Sequence, residues 1–407
     1  RAYRIDLSKV AQTQRVRKSL EQETNKESAA RLLFVQGSPA GFKTLIKKLD
    51  RAERAVPKKV REDIQRVESF DLLKGTEQIV GFDSEWDDGR GELVLHPSRI
   101  SSERQMRFIF ELFDDVGIDS SKSQIRTYPS GPTFISCRLN RTILANLSGS
   151  NPLRAVHPLI FGGLQDLRNA ATAPAPMPAI SETKSTIKVG MLDGGVAHTV
   201  PLLNGHVEVD ETLEIASTPE ANAIAHGTAV AGALLYGELN GLKGADRVDA
   251  PPVSVVSIRA LPTSDLDLYE SIDVVENAVS ARSDIKVFNL SFGPRGPIQD
   301  DAISRFTYVL DSLACTHKVT FFVAVGNDGE IDGYNRIQAP ADLVHGIGVG
   351  AFTRHGDDIV HASYSCRGPG RECGKIKPDV SAFGGSEDAP IHLASTNFNE
   401  KLLAWGT

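Results

Sequence analysis

The chain has 407 residues, enough for two or three domains with a sizeable core. Hydrophobic residues make up 41% and charged residues 24%, a soluble globular balance, and the formal net charge of -7 argues against nucleic acid as the main partner. No stretch approaches the roughly 18 consecutive apolar residues of a membrane-spanning helix, so no membrane partner is expected. The four cysteines (Cys137, Cys315, Cys366, Cys373) are too few to form a disulfide framework in so long a chain. They read as free thiols of a reducing compartment, although Cys366 and Cys373 are close enough in sequence to pair or to share a metal. The first residue is Arg rather than Met, which points to a processed terminus or a fragment.

Residues 1–75 are highly charged, and VRKSLEQETNKESAARL and KKLDRAERAVPKKVREDIQRV read as exposed helices, the second broken at Pro57. GSPAGFKT (37–44) falls short of a phosphate-binding loop, because the required spacing puts a glycine where Phe42 stands. Residues 76–164 have a more regular rhythm. GELVLHP (91–97) predicts a strand. SSERQMRFIFELFDDVGI (101–118) predicts a helix capped by Ser102, with Met106, Ile109, Phe110 and Phe113 at helical spacing. SQIRTY (123–128) and TFISCRL (133–139) alternate like paired strands around the turn signal PSGP. NRTILANLSG suits a short helix and PLRAVHPLI a last strand, which completes a βαββαβ, ferredoxin-like α+β order. Residues 165–186, rich in Ala, Pro, Ser and Thr, read as an exposed, extended linker.

From residue 187 the pattern changes to alternating strands and helices. The apolar runs IKVGML (187–192), VSVVSIRAL (253–261), IKVFNLS (285–291), VTFFVAV (319–325) and HGIGVGAF (345–352) suit a mostly parallel sheet covered on both faces. Helix candidates lie at 226–238, 268–281 and 299–316, so residues 187–407 read as a doubly wound α/β domain whose site lies at the carboxyl ends of the strands.

Four strand-end or helix-start positions there can carry chemistry. Asp193 follows the first strand and precedes two glycines; a carboxylate so placed faces a crevice, and it also suits an ordinary strand-to-loop turn. His226 is the second residue of AHGTAVAG (225–232), whose small residues suit a tightly packed central helix. Ser291, Phe292 and Gly293 end a strand whose edge can accept an extended peptide, although the segment alone reads better as an ordinary buried strand. Asn327, between glycines after a buried strand, can donate to a developing oxyanion or simply tolerate a turn. The three Asn-x-Ser/Thr matches (Asn140, Asn146, Asn289) carry no weight, since Asn289 lies in a predicted buried strand.

Asp, His, a peptide-binding strand and an Asn donor, in that chain order, resemble the subtilisin-like serine proteases, the subtilases. IQAPAD (337–342), VGAF (349–352), ASYSCRGPG (362–370) and KPDVSAFG (377–384) also look like that family's segments, in its order, and the resemblance covers about 187–407. It implies Asp193 and His226 as triad members, Asn327 as the oxyanion donor, Ser291 to Gly293 as substrate-binding backbone, and an extended polypeptide as substrate. Gly194 departs from the family's Ser or Thr after the Asp. The chain ends Gly406-Thr407, and the resemblance implies that the nucleophilic Ser is the next residue, so that this chain alone lacks it.

The ferredoxin-like region resembles the family's inhibitory prodomain, which implies that PLRAVHPLIFGG or the linker occupies the substrate cleft; a permanent accessory domain is the other reading. Segments 34–50 and 226–239 resemble a bacterial subset encoded beside an AAA-type ATPase and linked to phage defence, which implies that ATPase as partner and a cytoplasmic location. A secreted degradative protease and a pseudoprotease that keeps the fold as a binding module are the alternatives. Subtilases often bind calcium, but no loop here specifies such a site, and no other cofactor is expected.

Overall fold

The computed structural model describes residues 13–15, 30–32, 38–50, 57–58, 75–98, 100–161, 168–180, 184–261, 267–300, 302–371 and 376–407. Thr13–Arg15 (β1) and Ala30–Leu32 (β2) pair antiparallel, so the end of one stretch read as helix is a strand. Pro39–Asp50 (α1) and Gly75–Gln78 (α2) follow. Most of the remaining predicted helical stretches before residue 75, and Cys373, lie outside the described residues. The chain divides into two compact units, residues 1–88 with 93–157, and residues 89–92 with 158–407.

From Asp88 to Pro158 the order is Asp88–Leu95 (β3), Ser102–Val116 (α3), Gln124–Thr127 (β4), Thr133–Asn140 (β5), Arg141–Leu147 (α4) and Leu153–Pro158 (β6). The sheet order β4-β5-β3-β6 is that of a ferredoxin-like fold. Its core is built by Leu93, Ile109, Phe113, Ile135, Leu147 and Leu153, each fully buried. Two expectations for α3 are corrected. Ser101 is the N-cap residue rather than Ser102, and it makes no side-chain cap bond. Phe110 is 44% exposed, because Leu112 and Val116 complete the buried stripe begun by Ile109 and Phe113.

The second unit holds Arg168–Pro174 (β7), Lys188–Asp193 (β8), Val207–Val209 (β9), Ala221–Tyr236 (α5), Ser254–Arg259 (β10), Leu268–Ala281 (α6), Val287–Leu290 (β11), Arg305–His317 (α7), Thr320–Ala324 (β12), Ile347–His355 (β13), Asp358–His361 (β14), Val380–Phe383 (β15), Ile391–Ala394 (β16) and Glu400–Trp405 (β17). The main sheet runs β14-β13-β12-β11-β8-β10-β9, with β15 also on β13. Among these pairings only β13 with β14 is antiparallel, which gives the mostly parallel, doubly wound α/β sheet. Because β12, β11 and β8 are neighbours, the residues that leave their carboxyl ends emerge side by side.

A second, three-stranded sheet was not foreseen. It runs β16-β17-β7, and β7 is formed by residues expected to be linker. The segment is extended, but it is paired antiparallel with β17 from Arg168↔Trp405 to Pro174↔Glu400. Ala, Asn and Thr in β7 allow that pairing, since a strand needs its backbone groups satisfied more than it needs large side chains. The helix α5 packs against β16, β10 and β8, with Ala229, Ala231 and Leu235 in the core.

Lys401 on β17 is only 3% exposed, and its Nζ donates to the carbonyls of Leu239 (3.0 Å) and Leu242 (2.6 Å) in the loop after α5. This ammonium ties the helix's exit loop to β17. Lys401→Met keeps the apolar stem but leaves both carbonyls without that donor, and should cost about 2 kcal/mol. Calorimetry should show the thermal midpoint falling by roughly 4–8 °C. An unchanged midpoint would show that the ammonium contributes nothing.

Candidate active site

Asp193 is the last residue of β8 and is fully buried. Its Oδ1 accepts from its neighbour Gly194 N–H (2.7 Å) and is 2.8 Å from His226 Nδ1. With Nδ1 carrying its hydrogen, the imidazole donates to Asp193 and leaves Nε2 able to take a proton. His226 lies in the second turn of α5 rather than at its start, because the helix begins at Ala221, directly after Pro219-Glu220. The helix is therefore braced on both sides of the imidazole.

Close approach of α5 to the β8 loop explains two glycines. A Cβ on Gly227 would lie 2.0 Å from the Gly195 carbonyl and 3.2 Å from Asp193 Oδ1. A Cβ on Gly194 would lie 2.5 Å from the Ala223 Cβ. Gly194, where the family resemblance leads one to expect a hydroxyl residue, is thus required by Ala223 on the facing helix. Asp193 Oδ2 is buried with no hydrogen-bond donor among the described residues. Thr228 adds a further tie, donating to Ile224 O (2.6 Å) and accepting from Ala197 N–H (3.0 Å).

Burial alone would lower the His226 pKa, but the negative charge of Asp193 and the hydrogen bond to it outweigh that and hold it above 6.5. Protonated His226 stabilises the fold below its ordinary value, and that contribution is lost as pH rises through its folded value. A proton-accepting role needs the neutral imidazole, so it gains strength over the same rise.

Asn327 follows β12, next to Gly326. Its Oδ1 accepts from Thr407 N–H (2.8 Å) and from the Thr407 hydroxyl, which also reaches Gly326 O (3.0 Å). With Oδ1 so engaged, the amide NH₂ is left as the donor. The structure therefore brings Asn327 and the Gly406-Thr407 pair together.

Ser291, Phe292 and Gly293 leave the end of β11. Ser291 Oγ accepts from Asn289 Nδ2 (2.9 Å), Phe292 is buried against Phe306, and a Cβ on Gly293 would meet Ala339 O at 2.2 Å. Two residues on, Arg295 N–H donates to Ile160 O (2.7 Å) in an isolated antiparallel bridge. Ile160 thus meets the chain two residues beyond Gly293.

Several contributors escaped sequence reasoning. Buried Asp328 is paired to Arg295 (2.9 Å) and to Gln338 (2.7 Å), beneath Asn327 in the chain. Arg168 Nη2 donates to the Asn327 carbonyl (3.3 Å). Nothing in the composition of 165–186 signals that contact, whereas Gly227 was legible within AHGTAVAG. Among the described residues there is no group of three or more His, Cys, Asp or Glu able to hold a metal ion. Cys366 is buried, which pushes its thiol up to about 11. Among the described residues no helix is long and apolar enough to cross a membrane.

Two outcomes follow from this geometry. NMR titration of the His226 ring should give a pKa above 6.5. Asp193→Asn should drop it below that value, because burial persists while the carboxylate is gone; an unmoved value would refute the pairing. Gly194→Ser should lower stability by about 1–3 kcal/mol through crowding against Ala223. Ala223→Gly in the same chain should recover part of that loss in denaturant melts.

Comparison with known proteins places these observations. A model of the subtilase family matches residues 184–405, just over half of the chain. Similar solved structures include a psychrophilic protease, at 22% identity over 56% of this chain and 74% of that one, TM-score 0.41. Sphericase is similar at 20% identity over 56% and 74%, TM-score 0.39. The prenylagaramide maturation protease PagA is similar at 20% identity over 55% and 71%, TM-score 0.38. No curated protein matches. On the family match, with the doubly wound sheet that carries it, the chain belongs to the subtilase family.

Proposed function

We propose that the protein is a serine endopeptidase in which Asp193, His226 and a serine directly following Thr407 form the catalytic triad. The observation that carries this reading is the 2.8 Å contact between the fully buried Asp193 carboxylate and His226 Nδ1. It leaves Nε2 to take the proton of a nucleophile. In the reaction, the serine oxygen bonds to the peptide carbonyl carbon while His226 takes its proton. The carbonyl oxygen becomes an oxyanion, to which Asn327 Nδ2 donates. Collapse of that intermediate breaks the C–N bond, with His226 returning the proton to the leaving amine. Water then repeats the cycle on the acyl-enzyme. Asp193 holds the tautomer and stabilises the imidazolium. The backbone from Ser291 to Gly293 receives an extended polypeptide.

The prodomain reading of residues 76–164 rests on the family resemblance, and the bridge between Ile160 and Arg295 supports PLRAVHPLIFGG as the segment that reaches the substrate cleft. The pairing of β7 with β17 favours a cut on the N-terminal side of Arg168. The likeness of 34–50 and 226–239 to the ATPase-paired subset extends the reading to a cytoplasmic protein that works with an AAA-type ATPase.

Peptide hydrolysis by the complete protein tests this reading. Asn327→Ala should lower kcat about 10²–10³-fold, as loss of such a donor does in subtilisin. His226→Ala should lower it further. Residues 1–407 alone should form no acyl-enzyme, and turnover by this piece that His226→Ala abolishes would refute the assignment. A product that is never cut between 155 and 186 would refute the prodomain role.

A further inference from the structure

We infer that Arg168 is a positioning residue for Asn327, held in place by β7, and that the strand preceding the main sheet is therefore part of the reaction machinery. The inference rests on the reading of Asn327 as the oxyanion donor. Arg168 is the first residue of β7 and stands opposite Trp405 of β17, directly before Gly406-Thr407. Its guanidinium makes three contacts. Nη2 donates to the Asn327 backbone carbonyl (3.3 Å), Cζ lies 5.2 Å from the centre of the Tyr364 ring, and Nη1 is 4.0 Å from the Glu330 carboxylate.

Two of these contacts reach groups that border the site. The Asn327 carbonyl belongs to the peptide unit that leads into buried Asp328, so fixing it fixes the backbone from which the Asn327 amide projects. The Tyr364 hydroxyl is 2.9 Å from Gly385 O and 3.3 Å from Gly406 O, so the ring under Arg168 also reaches the Gly-Thr pair. Arg168 thus bears on both sides of the bond between Thr407 and Asn327. A planar guanidinium can donate to a carbonyl and stack on a ring at once, which a lysine cannot do. Asn327 needs such a brace because an oxyanion donor displaced by about 1 Å loses much of its effect.

The test is a double-mutant cycle for peptide hydrolysis by the complete protein. Arg168→Met should lower kcat about tenfold with KM changed less than about twofold, a loss smaller than removal of the donor itself. Arg168→Lys, which keeps the charge but not the plane, should fall between and guards against a misfolded Met variant. On an Asn327→Ala background, Arg168→Met should have almost no further effect, because its role passes through the missing amide. Additive losses, or wild-type kcat in Arg168→Met, would overturn the inference while leaving the peptidase reading intact. Absence of hydrolysis by the unaltered protein would overturn the peptidase reading, and this inference with it.

Discussion

A buried carboxylate at the end of a central strand organises the second unit. Asp193 is out of solvent, and a carboxylate there is costly unless it is bonded. Its bonds come from Gly194 N–H, within the same loop, and from His226, which requires α5 to come very near the loop after β8. Gly227 and the pairing of Gly194 with Ala223 are consequences of that distance. The small residues of α5, which look unremarkable singly, are the condition for the pair to form.

The other half of the site depends on β17. That strand is held between β16 and β7, and its exit delivers Gly406 and Thr407 to Asn327. Lys401 fastens its inward side to the loop after α5, so the helix bearing His226 and the strand leading to Thr407 are joined by a buried ammonium. Catalytic groups need placement to within a fraction of an ångström, and secondary structure gives it better than loops do. On the proposed reading, one end of a strand, one turn of a helix and the exit of a further strand carry Asp193, His226 and Asn327.

Much of this was legible in the sequence, for a physical reason. Strands β8, β10, β11, β12 and β13 are largely covered on both faces, so they appear as apolar runs. Asp193, His226 and Asn327 stand where such runs end, or in a helix of small residues, and their order is a strong pattern. α5 begins five residues before the helix expected at 226–238, directly after Pro219-Glu220, because Ala221, Ala223 and Ala225 continue the same run of small residues. β7 was missed because its partner lies at the far end of the chain, and its Ala, Thr and Pro composition is also that of a linker. A non-local pairing that uses only backbone groups leaves almost no trace in local composition, so Arg168 could not be found before its strand was. β14 and β15 are almost wholly exposed, so neither shows the apolar run of a strand covered on both faces.

The central claim is that Asp193, His226 and Asn327 serve a serine nucleophile that follows Thr407. The most direct measurement is treatment of the complete protein with a fluorophosphonate probe, followed by digestion and mapping of the label by mass spectrometry. The account predicts label on a serine directly after Thr407 and its loss in His226→Ala. Absence of label from protein freshly cleaved before β7, or label that persists in His226→Ala, would contradict it.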